Sequence, residues 1–367
     1  MKFNIAREAL LAPLQQVNGV IEKRQTIPIL SNVLIRVREG QIELTGSDLE
    51  IQLVAIAELS TSESGEFTVP ARKLMDIFRL LPDRSEAQID SHDGRCAIRS
   101  GGSRFNLSTL PVESYPAFDA GQPEFCVTVS CDVFKRALTK TMFSMAQQDV
   151  RYYLNGLLLD IEGSTLRTVS SDGHRLAVYE ETLSESVLGS RQIIIPRKGV
   201  LELVRLFNDA DDTLAIEFSP STVQVSLGAV RFSAKLVDGR FPDYQKVMPK
   251  ELDRSYSLEK DALKSALTRV SVLLNEKYKS ISLAVNDQAD MILKAQNPDH
   301  EEAEEVLSVV MEGGPVMVGF NPQYLLDAVN NIDSAQVKLS FSPSADRCLI
   351  EDPEDPRYKF IVMPMRL

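Results

Sequence analysis

Three stretches of this chain can be laid over one another without a gap: VPARKLMDIFRLL from Val69, IPRKGVLELVRLF from Ile195 and FNPQYLLDAVNNI from Phe320. The acids Asp76, Glu202 and Asp327 then share one register, as do Leu74, Val200 and Leu325, with apolar residues three and four positions further on. That spacing is the period of an amphipathic helix and not of a strand. A chain that repeats one plan at intervals of about 125 residues is expected to fold as like modules in tandem.

A second helix is triplicated as REALLAPL, CDVFKRAL and KDALKSAL, aligning Leu10 with Phe134 and Leu263, and Leu14 with Leu138 and Leu267. Pro13 fits the first copy awkwardly, because an interior proline costs about 3 kcal/mol unless the helix is kinked or short. The first set of helices follows apolar, β-branched runs: EFTV, RQIII and VMVGF. VLIRVREGQIELTG, LLLDIEGSTLRTV and SISLAVNDQADMILKA each place a two-residue turn between runs of period two, the signature of a hairpin. LTGSDL from Leu44 is echoed by TVSSDGHRL from Thr168, and RFNLSTLP from Arg104 by RYKFIVMP from Arg357. The predicted class is α+β, as three similar domains over residues 1–121, 122–249 and 250–367.

A length of 367 residues suits such a division, since single cores stop growing at about 250–300 residues. No apolar run approaches the roughly 20 residues of a membrane span, and Arg7 and Glu8 stand where a signal peptide needs apolar residues. A cytoplasmic protein is expected. Cys96, Cys126, Cys131 and Cys348 form no CxxC pair and no ordered metal spacing. The three histidines (His92, His174, His300) fit no HExxH spacing, and no GxSxG, GxxxxGK[ST] or GxGxxG motif occurs. Asp172-Gly173-His174 is the best exhibit for an enzyme, but an Asp and a His two residues apart more often make a turn. No catalysis, metal or cofactor is expected.

Net charge is −12, which argues against a protein that coats nucleic acid with its whole surface and leaves room only for a local basic face. The third module carries 20 acids against 13 bases, concentrated in Glu301, Glu302, Glu304 and Glu305, while the first offers Arg95, Arg99 and Arg104 beside Phe105. An acidic tail end and a basic head end suit head-to-tail pairing of two chains, which makes a ring when the rotation closes; solvated faces would read the same way. The repeated helices carry Arg72, Lys73 and Arg79; Lys135, Arg136 and Lys140; Arg197, Lys198 and Arg205; and Lys264 and Arg269. If these faces line a cavity, an acidic protein acquires a basic bore; otherwise they are ordinary exposed helix faces.

The segments PILSNVL, GSDLEI, FSMAQQDVRYYLNG, SDGHRLAV, IIPRKGV, KLVDGRFPDY, NEKY and the terminal VMPMRL resemble, over essentially the whole chain, the β-subunit family of bacterial DNA polymerase III, the replicative sliding clamps. The resemblance implies a homodimeric ring of six similar domains, with helices lining the bore and sheets outside. It implies double-stranded DNA, the replicative polymerase, a clamp loader, and other polymerases and repair proteins bearing clamp-binding motifs as partners, with no nucleotide bound by the ring itself.

By similarity, a partner-peptide pocket maps to Tyr153, Leu154, Ser171, Gly173, His174, Arg175, Leu176, Pro242, Val247, Tyr324, Val362, Met363, Pro364, Met365 and Arg366. Methionines suit an adaptable apolar groove for an extended peptide, with Arg and His at the edge to orient a Gln or the peptide backbone. Without the family, Val-Met-Pro-Met reads equally well as a core-packing terminal strand. DNA contacts map to Arg24, Arg72, Lys73, Gln148, Tyr152, Tyr153, Arg197, Lys198 and Tyr278, and the ring seam to Lys73, Phe105, Val272 and Leu273 beside the charged patches above. Ser171 stands where the family usually has threonine and Lys246 where arginine is common; the second change gives up bidentate hydrogen bonding. A rival reading is a non-catalytic scaffold that gathers partners through the same pocket without DNA.

Overall fold

Each helix of the repeat begins where a strand stops. The computed structural model describes residues 1–22, 26–38, 40–60, 63–207, 213–275 and 279–366. Among these, α1 (Arg7–Val17), α2 (Ala71–Leu80), α3 (Cys131–Thr141), α4 (Arg197–Leu206), α5 (Lys260–Val270) and α6 (Pro322–Val329) follow strands ending at Ala6, Pro70, Ser130, Pro196, Glu259 and Phe320. The apolar stripes read from the sequence are the buried faces: Leu10, Leu14, Leu74, Phe134, Leu138, Val200, Leu263 and Leu267 are all solvent-free. α6 starts on Asn321, whose side chain accepts from the Gln323 N–H, with Pro322 at the first helical position, where its missing N–H costs nothing. α1 runs unbroken through Pro13. The proline is buried.

The chain forms two compact units, Met1–Lys135 with Lys198–Leu236, and Arg136–Arg197 with Val237–Leu367. In the first, an eight-stranded antiparallel sheet runs in the order Gly65–Pro70, Asn32–Arg38, Gln41–Ser47, Ile51–Glu58, Val230–Lys235, Thr222–Leu227, Thr213–Phe218, Phe125–Ser130. The middle pairing, Ala55 with Val230 and Ile51 with Ala234, joins strands that the sequence assigns to its first and second modules. A four-stranded sheet, Lys2–Ala6, Glu86–His92, Arg95–Ser100, Ser103–Ser108, completes this unit.

The second unit repeats the scheme. Its nine-stranded sheet runs Ser190–Pro196, Gly156–Glu162, Thr165–Ser171, Arg175–Thr182, Asp355–Val362, Cys348–Asp352, Gln336–Phe341, Arg254–Glu259, Val310–Glu312. Here Tyr179 pairs with Tyr358 and Leu176 with Ile361 across the junction of the second and third modules. A four-stranded sheet, Glu302–Ser308, Asp290–Gln296, Ile281–Val285, Val316–Phe320, mirrors that of the first unit. The three expected hairpins are present, but two turns differ from the sequence reading: Glu162 pairs with Thr165, so that turn is Gly163-Ser164, and Asn286 bonds Asp290, so that loop runs over residues 287–289.

Candidate functional site

A Ser-Asp turn is built twice with the same bonds. In the first unit Asp48 Oδ1 accepts from the N–H groups of Glu50 (2.9 Å) and Ile51 (2.7 Å), and Ser47 Oγ donates to the Ile51 carbonyl. In the second, Asp172 Oδ1 accepts from His174 (2.9 Å) and Arg175 (3.1 Å), and Ser171 Oγ donates to the Arg175 carbonyl (2.7 Å). The residue after each aspartate is left-handed, Leu49 at φ 82° and Gly173 at φ 86°. Glycine takes that conformation without strain and leucine does not.

Around the second turn the side chains converge. Arg175 Nε donates to Asp172 Oδ2 (3.0 Å), one Nη to the Phe143 carbonyl (2.9 Å) and the other to Asp327 of α6. Its guanidinium lies 4.6 Å from the Tyr324 ring centre, and the His174 ring stacks on the same tyrosine at 6.3 Å. Burial raises the Tyr324 hydroxyl above its ordinary range, with Asp172 adding to the effect. Arg175 is thus engaged within the fold on every edge. It braces the turn, while His174 is exposed.

The sheet face beside the turn carries an apolar cluster: Leu154, Leu158, Val169, Leu176, Ile194, Phe241 and Ile361 are buried, with Tyr153, Tyr244, Val247 and Met248 half-covered against them. The carboxyl-terminal segment closes one side. The Met363 N–H donates to the His174 carbonyl and the Met365 N–H to Gly319, both at 2.8 Å, leaving Met365 44% exposed. Of the residues mapped by similarity, Tyr153, Leu154, Leu176 and Val247 meet in this cluster, Ser171, Gly173, His174, Arg175 and Tyr324 form the rim, and Met363 to Met365 the tail strap. Val362 is a buried strand residue and pairs with Arg175, so Val-Met-Pro-Met is part core strand and part strap. Pro242 and Arg366 are exposed. Phe241, Tyr244 and Met248 were missed as cluster residues, although the apolar spacing within VDGRFPDYQKVM signals them.

The first unit cannot make this groove. Counting from its aspartate, Thr45 replaces Val169 and Gln52 replaces Leu176, and the partner of Gln52 across the sheet is Ser233 where Leu176 faces Ile361. The Tyr115 hydroxyl donates to the Thr45 carbonyl (3.1 Å).

The expected DNA contacts divide between the units. In the first, Arg72 and Lys73 are exposed at the start of α2, while the Lys198 ammonium is shared by Asp48 and Glu22 (2.8 Å). Burial alone would lower the Lys198 pKa; those carboxylates outweigh it and raise it. In the second, Gln148 (φ 57°), Tyr152 (56% exposed) and Tyr153 lie on one loop, fixed by reciprocal bonds between Asp149 and Asn155 (2.9 and 2.8 Å). The Arg151 side chain holds the Asp149 carboxyl down at about 2. Arg197 donates to the Met145 carbonyl (3.2 Å). Arg24 and Tyr278 lie outside the described residues.

The wider basic-face expectation needs correcting. Lys140 is 7% exposed and pairs with Asp333 (2.7 Å), Arg205 is held by Glu202 (2.8 Å) and the Gln16 carbonyl (2.7 Å), and Arg269 makes a bidentate pair with Glu305 at 2.6 Å. These cations are neutralised inside their own units.

The seam residues are also redistributed. Arg95, Arg99 and Arg104 share one exposed face of the first unit's small sheet, with Arg99 directly opposite Arg104, and Phe105 points to the other face beside Ile98. The four acids expected to act together do not form one patch. In the strand Glu302–Ser308 alternate residues face opposite ways, so Glu304 pairs with Lys294 on one face and Glu305 with Arg269 on the other. Glu301 and Glu302 are exposed and bonded to Asn297 and Gln296. Val272 is 78% exposed and Leu273 half-buried after α5.

Models described as the N-terminal, central and C-terminal domains of the DNA polymerase III beta subunit match residues 1–119, 128–243 and 245–366. Aligned over 368 residues, the chain is 44% identical to the Beta sliding clamp of Escherichia coli K12, with both chains fully covered. The crystal structure of the DNA polymerase III subunit beta from Pseudomonas aeruginosa superposes at a TM-score of 0.97 with 42% identity over all of both chains. A sliding clamp of the same organism bound to griselimycin gives 0.96 and 43%, again with full coverage of both. Three similar domains of mixed helix and sheet, in tandem, are therefore established.

Proposed function

Because this chain belongs to the DNA polymerase III beta subunit family, we propose that it is a DNA sliding clamp: two copies close head to tail into a ring around duplex DNA, and a peptide groove tethers the replicative polymerase to it. The observation that carries the tethering role is the apolar cluster around Leu154, Leu176 and Val247, rimmed by His174 and strapped by the carboxyl-terminal segment. An extended peptide with two large apolar anchors fits such a groove: main-chain hydrogen bonds give affinity, and pockets for the anchoring side chains give specificity. Clamp loaders, other polymerases and repair proteins would compete for the same site.

Ring closure is supported by two strand edges. Ser103–Ser108 is the last strand of one small sheet and Glu302–Ser308 the first of the other, and both leave backbone groups unpaired among the described residues. An exposed edge is a template for pairing with another chain. Basic Arg99 and Arg104 flank the first edge, acidic Glu302 and Glu304 the second, so the favoured pairing is heterologous and can close. Arg72, Lys73, Gln148, Tyr152 and Arg197 are then the proposed DNA contacts, of a kind that grips phosphate without reading sequence. The domains are proposed as residues 1–121, 122–249 and 250–367, helices toward the DNA and sheets outward.

The proposed role is non-catalytic, with no metal or cofactor, in the cytoplasm where replication occurs. Among the described residues no helix is long and apolar enough to cross a membrane. Primer extension on a long single-primed circle, with clamp loader, ATP and replicative polymerase, tests the proposal. Adding this protein should lengthen the products of a single binding event many-fold; unchanged product length would leave only a scaffold that gathers partners.

A further inference from the structure

Behind the Ser-Asp turn, on the helix side of each large sheet, the two units carry the same groove and fill it differently. In the second unit, seven residues past Asp172, Tyr179 faces Tyr358 and the rings stack at 6.3 Å. Lys140 of α3 lies 4.5 Å over the Tyr358 ring, and Arg357 reaches Glu181 (2.7 Å). Rings and ion pairs close that groove.

In the first unit the position seven past Asp48 is Ala55, and it faces Val230. The helix alignment that matches Leu10 with Phe134 puts Ala12 and Gln16 on α1 where α3 has Arg136 and Lys140, and Ala57 takes the place of Glu181. Two phenol rings and three charged side chains are replaced by small or neutral ones. What remains is a cavity of about 430 Å³ walled by Ala9, Ala12, Pro13, Ala57, Val230 and Phe232, with Glu8 and Gln16 among its lining residues.

We propose that this cavity is a docking site for an aromatic side chain of a partner protein, a tyrosine, whose ring takes the place that Tyr358, the counterpart of the lining residue Val230, fills in the second unit. The second copy of the groove, in the same chain, shows which chemistry completes it. Its mostly apolar walls gain dispersion contacts when a ring enters. Gln16, standing where Lys140 lies over the Tyr358 ring, would meet the face of the docked ring. This site is separate from the peptide groove, which the first unit lacks, and does not depend on that reading.

The test is titration of the full-length protein with p-cresol, the tyrosine side-chain analogue, followed by NMR of the Ala9, Ala12 and Ala57 methyl groups. Saturable shifts at all three are expected, with at least ten-fold weaker binding in Ala12→Arg, which grafts the second unit's own residue. Cyclohexanol, which lacks an aromatic ring, should bind at least five-fold more weakly. Absence of saturable shifts in the wild-type protein would overturn the site, whatever the variant does. Equal binding by a folded Ala12→Arg protein would also overturn it, and equal affinity for cyclohexanol would overturn the aromatic assignment. A Leu176→Gln variant should bind p-cresol unchanged; loss there would assign the shifts to the peptide groove instead.

Discussion

Arg175 and Asp327, 152 residues apart, form an ion pair that ties the Ser171–Arg175 turn to α6, and both side chains are largely withdrawn from solvent. The rim of the proposed peptide groove is thereby set by a contact between the second and third modules. Replacing Arg175 by Ala strands Asp172 and Asp327 without a counter-charge, and breaking a buried pair this way costs about 3 kcal/mol. Urea denaturation should show most of that loss, and Arg175→Lys should recover only part, because a lysine cannot span three acceptors. An unchanged midpoint in Arg175→Ala would contradict the bracing role.

The strap predicts a separation of functions. Deleting residues 363–367 removes the bonds to His174 and Gly319 but leaves the strand Asp355–Val362 in place. Affinity for a polymerase-derived clamp-binding peptide should fall at least ten-fold in a fluorescence titration while the sedimentation coefficient stays that of the parent. Retained peptide affinity would mean that the groove is elsewhere.

Acid sensitivity should centre in part on Asp352. Burial would raise its pKa, but the Ser334 and Glu354 N–H groups and the Tyr358 hydroxyl (2.8 Å) bond the ionised form and hold it well below the ordinary carboxylate range. A depressed folded-state pKa gives stability that is present above the unfolded value, about 3.9, and is lost as pH falls below it. Asp352→Asn should therefore be less stable than the parent at pH 7, with the gap narrowing from about pH 4 downward. A gap that is constant from pH 7 to pH 2.5 would show that the ionised carboxylate contributes nothing.

At the proposed seam, Arg99→Glu with Arg104→Glu should convert dimer to monomer at micromolar concentration by sedimentation equilibrium, since both side chains stand on one exposed face near the free edge. Reversing Glu305 should act differently, by breaking its bidentate pair with Arg269, and so should lower thermal stability as well. Unaltered mass in the double arginine variant would place the interface away from Ser103–Ser108.

What the sequence disclosed was whatever repeats or alternates. Leu74, Val200 and Leu325 mark one helix face three times, and Asp48 and Asp172 mark one turn twice, because local period and local capping depend on neighbours within a few residues. Lys140 shows the limit. It sits on a basic helix face by sequence, yet its partner Asp333 is 193 residues away, and only the fold brings a carboxylate and the Tyr358 ring to it. Glu304 and Glu305 were legible and misjudged, since the strand alternation in EAEEVLS already separates them onto opposite faces. In the groove, Leu176 and Val247 followed from resemblance, whereas the commitment of Arg175 to Asp172, Asp327 and Phe143 could be seen only in the assembled rim.

Enclosure of DNA is tested most directly by topology. The protein is loaded with a clamp loader and ATP onto a nicked circular plasmid, the DNA is isolated by gel filtration in high salt, and half is cut once with a restriction enzyme. Protein that remains with the circle and leaves the linear form within minutes is the result this account predicts. Equal retention on circle and line, or loss from both as salt rises, would show that the basic residues hold DNA by charge and that no ring surrounds it.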